Sequence, residues 1–291
     1  MGYFAQQAVN ALQLGSIYAL IALGYSMVYG VLGMINFAHA DLFMLGAFAC
    51  LLLASLAPLP FAVILVLVMV IIGLLGALIE RLAYRPLRNA PRVSAIITAL
   101  GCGLVIENTT LSLSPYARRM PALVESRRIE VFGLTLGSLE LLILGIAATL
   151  MIGLDLLIRR TPFGMALRAI SFDAGTAPLL GIPVDRIISL TFLLGAGLGG
   201  AAGMLYGLSY PVIAATMGVL VGWKAFIAAV IGGIGSVRGS MLGGLILGAI
   251  EVMAVALLPS TFRDLIAYSL LLVILVFKPY GLLGRPVTQK V

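Results

Sequence analysis

Apolar residues run through this chain in long blocks, separated by short polar interruptions. Reading those blocks between charges and Pro/Gly breaks predicts nine hydrophobic segments, at about 8–33, 40–57, 60–80, 93–113, 139–158, 187–208, 212–235, 239–258 and 262–278. Each approaches the roughly 20 apolar residues a bilayer-crossing helix needs. Either of segments 40–57 and 212–235 can instead be re-entrant. The predicted fold class is all-α: a polytopic integral membrane bundle of about eight to nine segments in a single transmembrane domain, 1–291. Two longer polar intervals interrupt it, at about 114–138 and 159–186.

The pattern within segments adds packing information. Gly195, Gly199, Gly203 and Gly207 recur every four residues, as do the pairs Gly239 with Gly243 and Gly244 with Gly248. Glycines four apart lie on one helix face and let backbones approach closely in lipid. GAGLGG (195–200) satisfies the G-x-G-x-x-G spacing, but it lies in an uncharged apolar run with no acidic residue until Glu251. It therefore reads as helix packing and not as a dinucleotide loop. No G-x-x-x-x-G-K-[ST] phosphate loop is present, so any ATP that drives this protein binds to another polypeptide.

Composition sharpens the class. Of 291 residues, 62% are hydrophobic and only 10% charged, against about 25% charged in soluble domains. The first run has no basic n-region, since the first Lys or Arg is Arg81. It is read as a retained span and not as a signal peptide. The net charge of +7 comes from residues at segment ends, without the dense basic stripe of a nucleic-acid binder. Cys50 and Cys102 both fall in apolar segments and read as small packing residues.

Charge also orients the bundle. With the N-terminus outside and nine crossings, twelve basic residues fall on the cytoplasmic side: Arg81, Arg85, Arg88, Arg92, Arg159, Arg160, Arg168, Arg186, Arg238, Lys278, Arg285 and Lys290. Five fall outside: Arg118, Arg119, Arg127, Arg128 and Arg263. The bias follows the positive-inside rule. The external loop 114–138 holds four of the exceptions together with Glu125 and Glu130, and reads as a small folded element.

Polar residues at membrane depth are few, and such residues are functional candidates. They are His39, Asp41, Glu107 and Lys224, with Asn36 and Asn108 beside them. Gly30 and Gly33 loosen the first helix, and Asn36 or Asp41 is then expected to cap the next one. Broken helices in transporters bring polar backbone and helix N-termini to the path. Asn36, His39 and Asp41 thus either mark a break beside the translocation path or only satisfy backbone groups freed there. Glu107–Asn108 reads equally as an interhelical hydrogen bond or as part of the path. Trp223–Lys224 reads as an interface anchor with a snorkelling lysine.

The loop RRTPFGMALRAISFDAGTAPLLGIPVDR (159–186) is amphipathic. Phe163, Leu167 and Ile170 share a face with Arg168 turned away. Thr176 is the expected N-cap of a second short helix that Gly181 and Pro183 stop. The element reads as a connector lying on the surface or as a knob for a cytoplasmic partner.

The stretches GSIYALIALGYSMVYGVLGMINFAHADLFMLGAF (15–48), ERLAYRPLR (80–88), GMALRAISFDAGTAPLLGI (164–182), KAFIAAVIGGIGSVRGSMLGGLILGAIE (224–251) and GLLGRP (281–286) carry a family resemblance. The chain resembles the permease subunits of ABC importers for branched-chain amino acids, on the LivH side of the LivH/LivM family. The resemblance implies a multi-pass inner-membrane transport subunit that is not an enzyme and holds no cofactor. It implies as partners a second, LivM-like permease, two cytoplasmic ATP-binding subunits and an external substrate-binding protein. It makes 164–182 the coupling element received by an ATPase, with Gly164, Arg168, Asp173 and Gly181 at matching positions. Phe172, Pro178 and Arg238 depart from the pattern, which puts the shape of the coupling helix and of the 235–240 turn in question. Arg168→Glu or Gly164→Trp is expected to uncouple ATP hydrolysis from uptake while leaving folding intact. Amides, urea-like solutes or other neutral amino acids fit the same apolar walls. A self-contained secondary carrier is the rival from another class, and a membrane scaffold is a third reading. An intramembrane enzyme is disfavoured, because the spans carry no zinc-ligand cluster, paired aspartates or Ser–His arrangement.

Overall fold

The computed structural model describes residues 2–88, 90–125, 127–131 and 134–284. Ten α-helices carry the fold: α1 (Gly2–Leu32), α2 (His39–Leu56), α3 (Phe61–Ile79), α4 (Arg92–Leu113), α5 (Ser138–Arg160), α6 (Pro162–Phe172), α7 (Val184–Ser209), α8 (Met217–Gly232), α9 (Val237–Leu257) and α10 (Phe262–Phe277). A π-helical turn (Glu80–Tyr84) and a 3-10 turn (Arg85–Leu87) prolong α3. Arg285 and Lys290, which the charge reading places on the cytoplasmic side, lie outside the described residues, as do Arg285 and Pro286 of the GLLGRP stretch.

Seven helices among the described residues are long and apolar enough to cross a bilayer. Each of the nine predicted hydrophobic segments holds a helix, but two of those helices fall short of this length. Segments 212–235 and 262–278 hold helices of only 16 residues, α8 and α10. At 1.5 Å per residue each is about 24 Å long, short of a hydrocarbon layer about 30 Å thick. Segment 40–57 holds the 18-residue α2, about 27 Å long and counted among the seven.

The core is built around α1 and α7. Both are apolar on all sides and buried along most of their length, as expected of a helix enclosed by others. Helix α1 packs on α9, α7, α8 and α5, while α7 packs on α3, α2 and α1. Glycine sets these contacts. A side chain at Gly244 or Gly248 would strike the backbone of Ala19 or Gly15 on α1. One at Gly243 would strike Ala228 of α8. The two glycine pairs of α9 thus serve two different neighbours. On α7, Gly199, Gly203 and Gly207 face His39, Phe43 and Ala47 of α2, while Gly197 and Gly200 face Met69 and Ile72 of α3.

The 114–138 interval carries short strands, in keeping with the expected small folded element. Strand β1 (Arg118–Arg119) pairs antiparallel with β4 (Val212–Ile213), and β2 (Arg128–Val131) with β3 (Leu134–Gly137). The first pairing ties the end of α4 to the segment between α7 and α8.

Candidate functional site

The stretch 33–38 is a break between two helices. Helix α1 runs through Gly30 and ends at Leu32. Gly33 takes φ +62° and its N–H closes on the carbonyl of Tyr29 (2.8 Å), a left-handed helix stop. Helix α2 then starts at His39 with Ala38 at the N-cap and no side-chain cap. The expected capping by Asn36 or Asp41 does not occur. Asn36 is turned instead to Tyr84, whose hydroxyl donates to Asn36 Oδ1 (2.7 Å). Its backbone carbonyl takes the His39 N–H (3.1 Å). Asn36 therefore bridges the break to the end of α3.

His39 is wedged between α1 and α7. Its ring occupies the notches at Gly24 and Gly199 and meets Tyr25 edge-on, with centroids 4.7 Å apart. Gly199 lies near the middle of α7, so His39 sits at mid-depth and is 1% exposed. Asp41 follows in the first turn of α2, where the helix dipole favours an anion. One carboxylate oxygen approaches Gly103, in the middle of α4, and the other approaches Gly218, in the first turn of α8. Two helix starts thus converge on Asp41. It is 6% exposed, and its Oδ1 has no hydrogen-bond partner among the described residues. One turn above Gly103, Glu107 is half-buried, and Asn108 on the outer face of α4 is exposed. Asn108 donates to the Leu104 carbonyl of its own helix (2.8 Å), so it makes no interhelical bond. The structure therefore gathers Asn36, His39, Asp41 and Glu107 around the α2 start, and leaves Asn108 on the open face of α4.

Lys224 is not a snorkelling anchor. Its ammonium pairs with Glu251 of α9 and with Asp264 of α10 (2.8 Å). Glu251 is wholly buried, also meets Arg263 (2.8 Å), and accepts from the Tyr18 hydroxyl (2.6 Å). This group joins α1, α8, α9 and α10. A second buried carboxylate, Glu80, takes Arg88 and the Ser189 hydroxyl, while Arg85 and Arg88 reach Asp185 at the start of α7. Sequence reasoning missed both networks. Their signals were an acidic residue ending an apolar run (Glu80) and one inside it (Glu251).

The loop after α5 forms α6 and a 3-10 turn, Ala177–Leu180. Thr161 caps α6 by accepting from Gly164 N–H (3.3 Å), and Pro162 opens its first turn. Leu167 and Ile170 are buried and Phe163 half-buried, as the pattern predicts. Arg168 is turned to solvent, but its guanidinium reaches back to the Ile158 carbonyl at the end of α5. Asp173 Oδ1 accepts from Gly175 N–H (2.9 Å) and Thr176 N–H (3.2 Å), and so orders the turn between the two elements. Gly181 stops the second element at φ +74°. Leu179 and Leu180 project from its tip, 84% and 76% exposed. Any side chain at Gly164 would run into the backbone of Ile158. Gly164→Trp therefore cannot leave the loop's fold intact, which corrects the expectation for that variant. Arg238 sits in the first turn of α9, which Ser236 caps, and grips Asp155 of α5 with two hydrogen bonds (3.2 and 3.1 Å).

A family profile described as branched-chain amino acid transport system / permease component matches residues 7–275. The chain is 40% identical to the high-affinity branched-chain amino acid transport system permease protein LivH of Salmonella typhimurium, over 99% of this chain and 98% of that protein. It is also 40% identical to the permease protein BraD of Pseudomonas aeruginosa, named for the same transport system, with the same coverage. Among solved structures, PsaBC from Streptococcus pneumoniae in complex with Fab aligns at 17% identity with a TM-score of 0.49, over 93% of this chain and 91% of that one.

Proposed function

We propose, from the premise that this chain belongs to the branched-chain amino acid transport system permease family, that it is the membrane-spanning subunit of an ABC importer for branched-chain or similar small apolar amino acids. It acts as one multi-pass inner-membrane domain. ATP is hydrolysed on two cytoplasmic subunits, a LivM-like permease completes the conduit, and an external binding protein delivers substrate. The chain itself carries no catalytic role in this reading.

The observation that best supports it is the knob that α6 and the Ala177–Leu180 turn build together. Its apolar face is buried against the bundle, its hinge is ordered by Asp173, and its tip presents Leu179 and Leu180 to solvent. Two large apolar side chains at a charged membrane edge call for a protein groove to cover them. In this reading Gly164, Arg168, Asp173 and Gly181 give the knob its shape, and the leucine tip touches the ATPase.

The path follows the open face of α4. An exposed Asn108 and a half-buried Glu107 are poor neighbours for lipid. A second permease and an aqueous passage would suit them. Asp41 stands behind that face at the start of α2, able to meet a substrate ammonium. The dipoles of the α2 and α8 starts favour negative charge at this point. Asn36 and His39 hold the break in shape. The line Gly195, Gly199, Gly203 and Gly207 lets the bundle pack tightly behind it.

Reconstitution in proteoliposomes with the ATPases, the second permease and the binding protein tests the reading. ATP-dependent leucine uptake that vanishes without the ATPases is expected. Uptake by this chain alone, driven by an ion gradient, would overturn it. Acetamide or urea transported in place of leucine would overturn the substrate.

A further inference from the structure

We infer that the α6 side of this protein carries a binding site for an anionic phospholipid, with its phosphate held by Arg81 and Arg186. A cleft of about 760 Å³ opens there between the end of α3 and the start of α7. Arg81, Arg85, Asp185, Arg186 and Ser189 are among its lining residues. The arginines of this corner are not equivalent. Arg85 and Arg88 are committed to Asp185 and Glu80. Arg81 and Arg186 have no acidic partner among the described residues, and both are exposed. Two uncompensated guanidiniums therefore face one cavity. The start of α7 adds to the field. The first N–H of that helix to find a carbonyl is that of Ile187, on Pro183 (3.1 Å). The N–H groups before it are left for a ligand or solvent.

The cleft also has a greasy approach. Leu74, Leu78 and Leu82 are exposed at 57%, 49% and 68%, four residues apart on one face of the α3 rod. The same face continues into Arg85. Leu190, 45% exposed, stands beside Ser189 on α7. An anionic head in the cleft thus has an apolar track for its acyl chains leading away into the bilayer. A free phosphate would use the arginines and leave the leucines bare, whereas a diacyl lipid uses both. Basic pockets at the cytoplasmic ends of spans recognise such headgroups.

The full chain in nanodiscs of mixed phosphatidylglycerol and phosphatidylcholine supplies the test, with retained lipid read by native mass spectrometry. Wild type is expected to retain phosphatidylglycerol preferentially. Arg81→Gln and Arg186→Gln are each expected to weaken that preference about fivefold, and the double variant to abolish it. Arg118→Gln, on the opposite side, should change nothing. Monodisperse elution of the double variant certifies its fold. A preference unchanged in the double variant would overturn the inference. So would release of the lipid by millimolar inorganic phosphate, because that marks a soluble-anion site.

Discussion

The imidazole of His39 occupies the space that a side chain at Gly24 would need. Helices α1 and α2 are joined there by a ring set into a glycine notch, with Gly199 of α7 closing the other side. Over-filling such a site costs about 1–3 kcal/mol. Gly24→Ala is expected to lower the melting temperature in detergent, and the double variant that adds His39→Ala to recover part of the loss. A Gly24→Ala protein as stable as wild type would show that His39 does not fill the notch.

Glu251 is a buried carboxylate shared by Lys224, Arg263 and Tyr18. Without Glu251, the buried Lys224 keeps only the exposed Asp264 as a partner, and breaking a buried ion pair costs about 3–5 kcal/mol. Glu251→Leu should therefore collapse the yield of folded protein. Combining it with Lys224→Met should restore much of that yield, since Arg263 is 37% exposed and can reach water. Fluorescence-detected gel filtration of wild type, single and double variants decides the matter. Equal yields for the single and double variants would contradict the pairing.

The loop tip and the loop root answer to different measurements. Leu179→Asp touches only the exposed tip. It is expected to leave the melting temperature unchanged and to cut ATP-driven uptake at least about tenfold, the effect of about 1.4 kcal/mol lost from coupling. Arg168→Glu removes the guanidinium from the Ile158 carbonyl. It should lower stability as well, by about 1–3 kcal/mol. If Arg168→Glu impairs uptake with no thermal shift, Arg168 contacts the ATPase directly.

Along the proposed path, Asp41→Asn and Glu107→Gln keep shape and remove charge. Each is expected to depress leucine uptake about tenfold or more while the assembled complex still elutes intact, consistent with the loss of one charged contact. Asn108→Ala, whose amide bonds only within α4, should have the smaller effect. Uptake indifferent to both carboxylates would move the path away from α4.

The helices and their glycine faces were legible in the sequence because both depend on local spacing. An apolar run of 20 residues or a glycine every fourth position carries its meaning without knowledge of the neighbour. The break near Gly33, the face made by Phe163, Leu167 and Ile170, and the stop at Gly181 were legible for the same reason, although Gly30, also expected to loosen α1, lies within it. What could not be read was which partner a polar side chain would meet. Asn36 looked like a cap, but Tyr84, 48 residues on, claims its oxygen. Lys224 looked like an anchor, but Glu251 and Asp264 draw it inward. Arg238 looked like a disturbed turn, but it is a clamp on Asp155. The length of α8 was overestimated because apolar composition continues past the residues that are helical, Met217–Gly232.

Both roots of the 159–186 loop are bolted to the bundle. At its entry Arg168 grips the end of α5, which Arg238 of α9 holds through Asp155. At its exit Asp185 is clasped by Arg85 and Arg88 from the end of α3. A handle fixed at two points cannot be twisted without turning what it is fixed to. In the proposed reading, a shove on the Leu179 tip would be delivered to α3, α5, α7 and α9 together, and the stroke of an ATPase on that side would become a tilt of the whole wall.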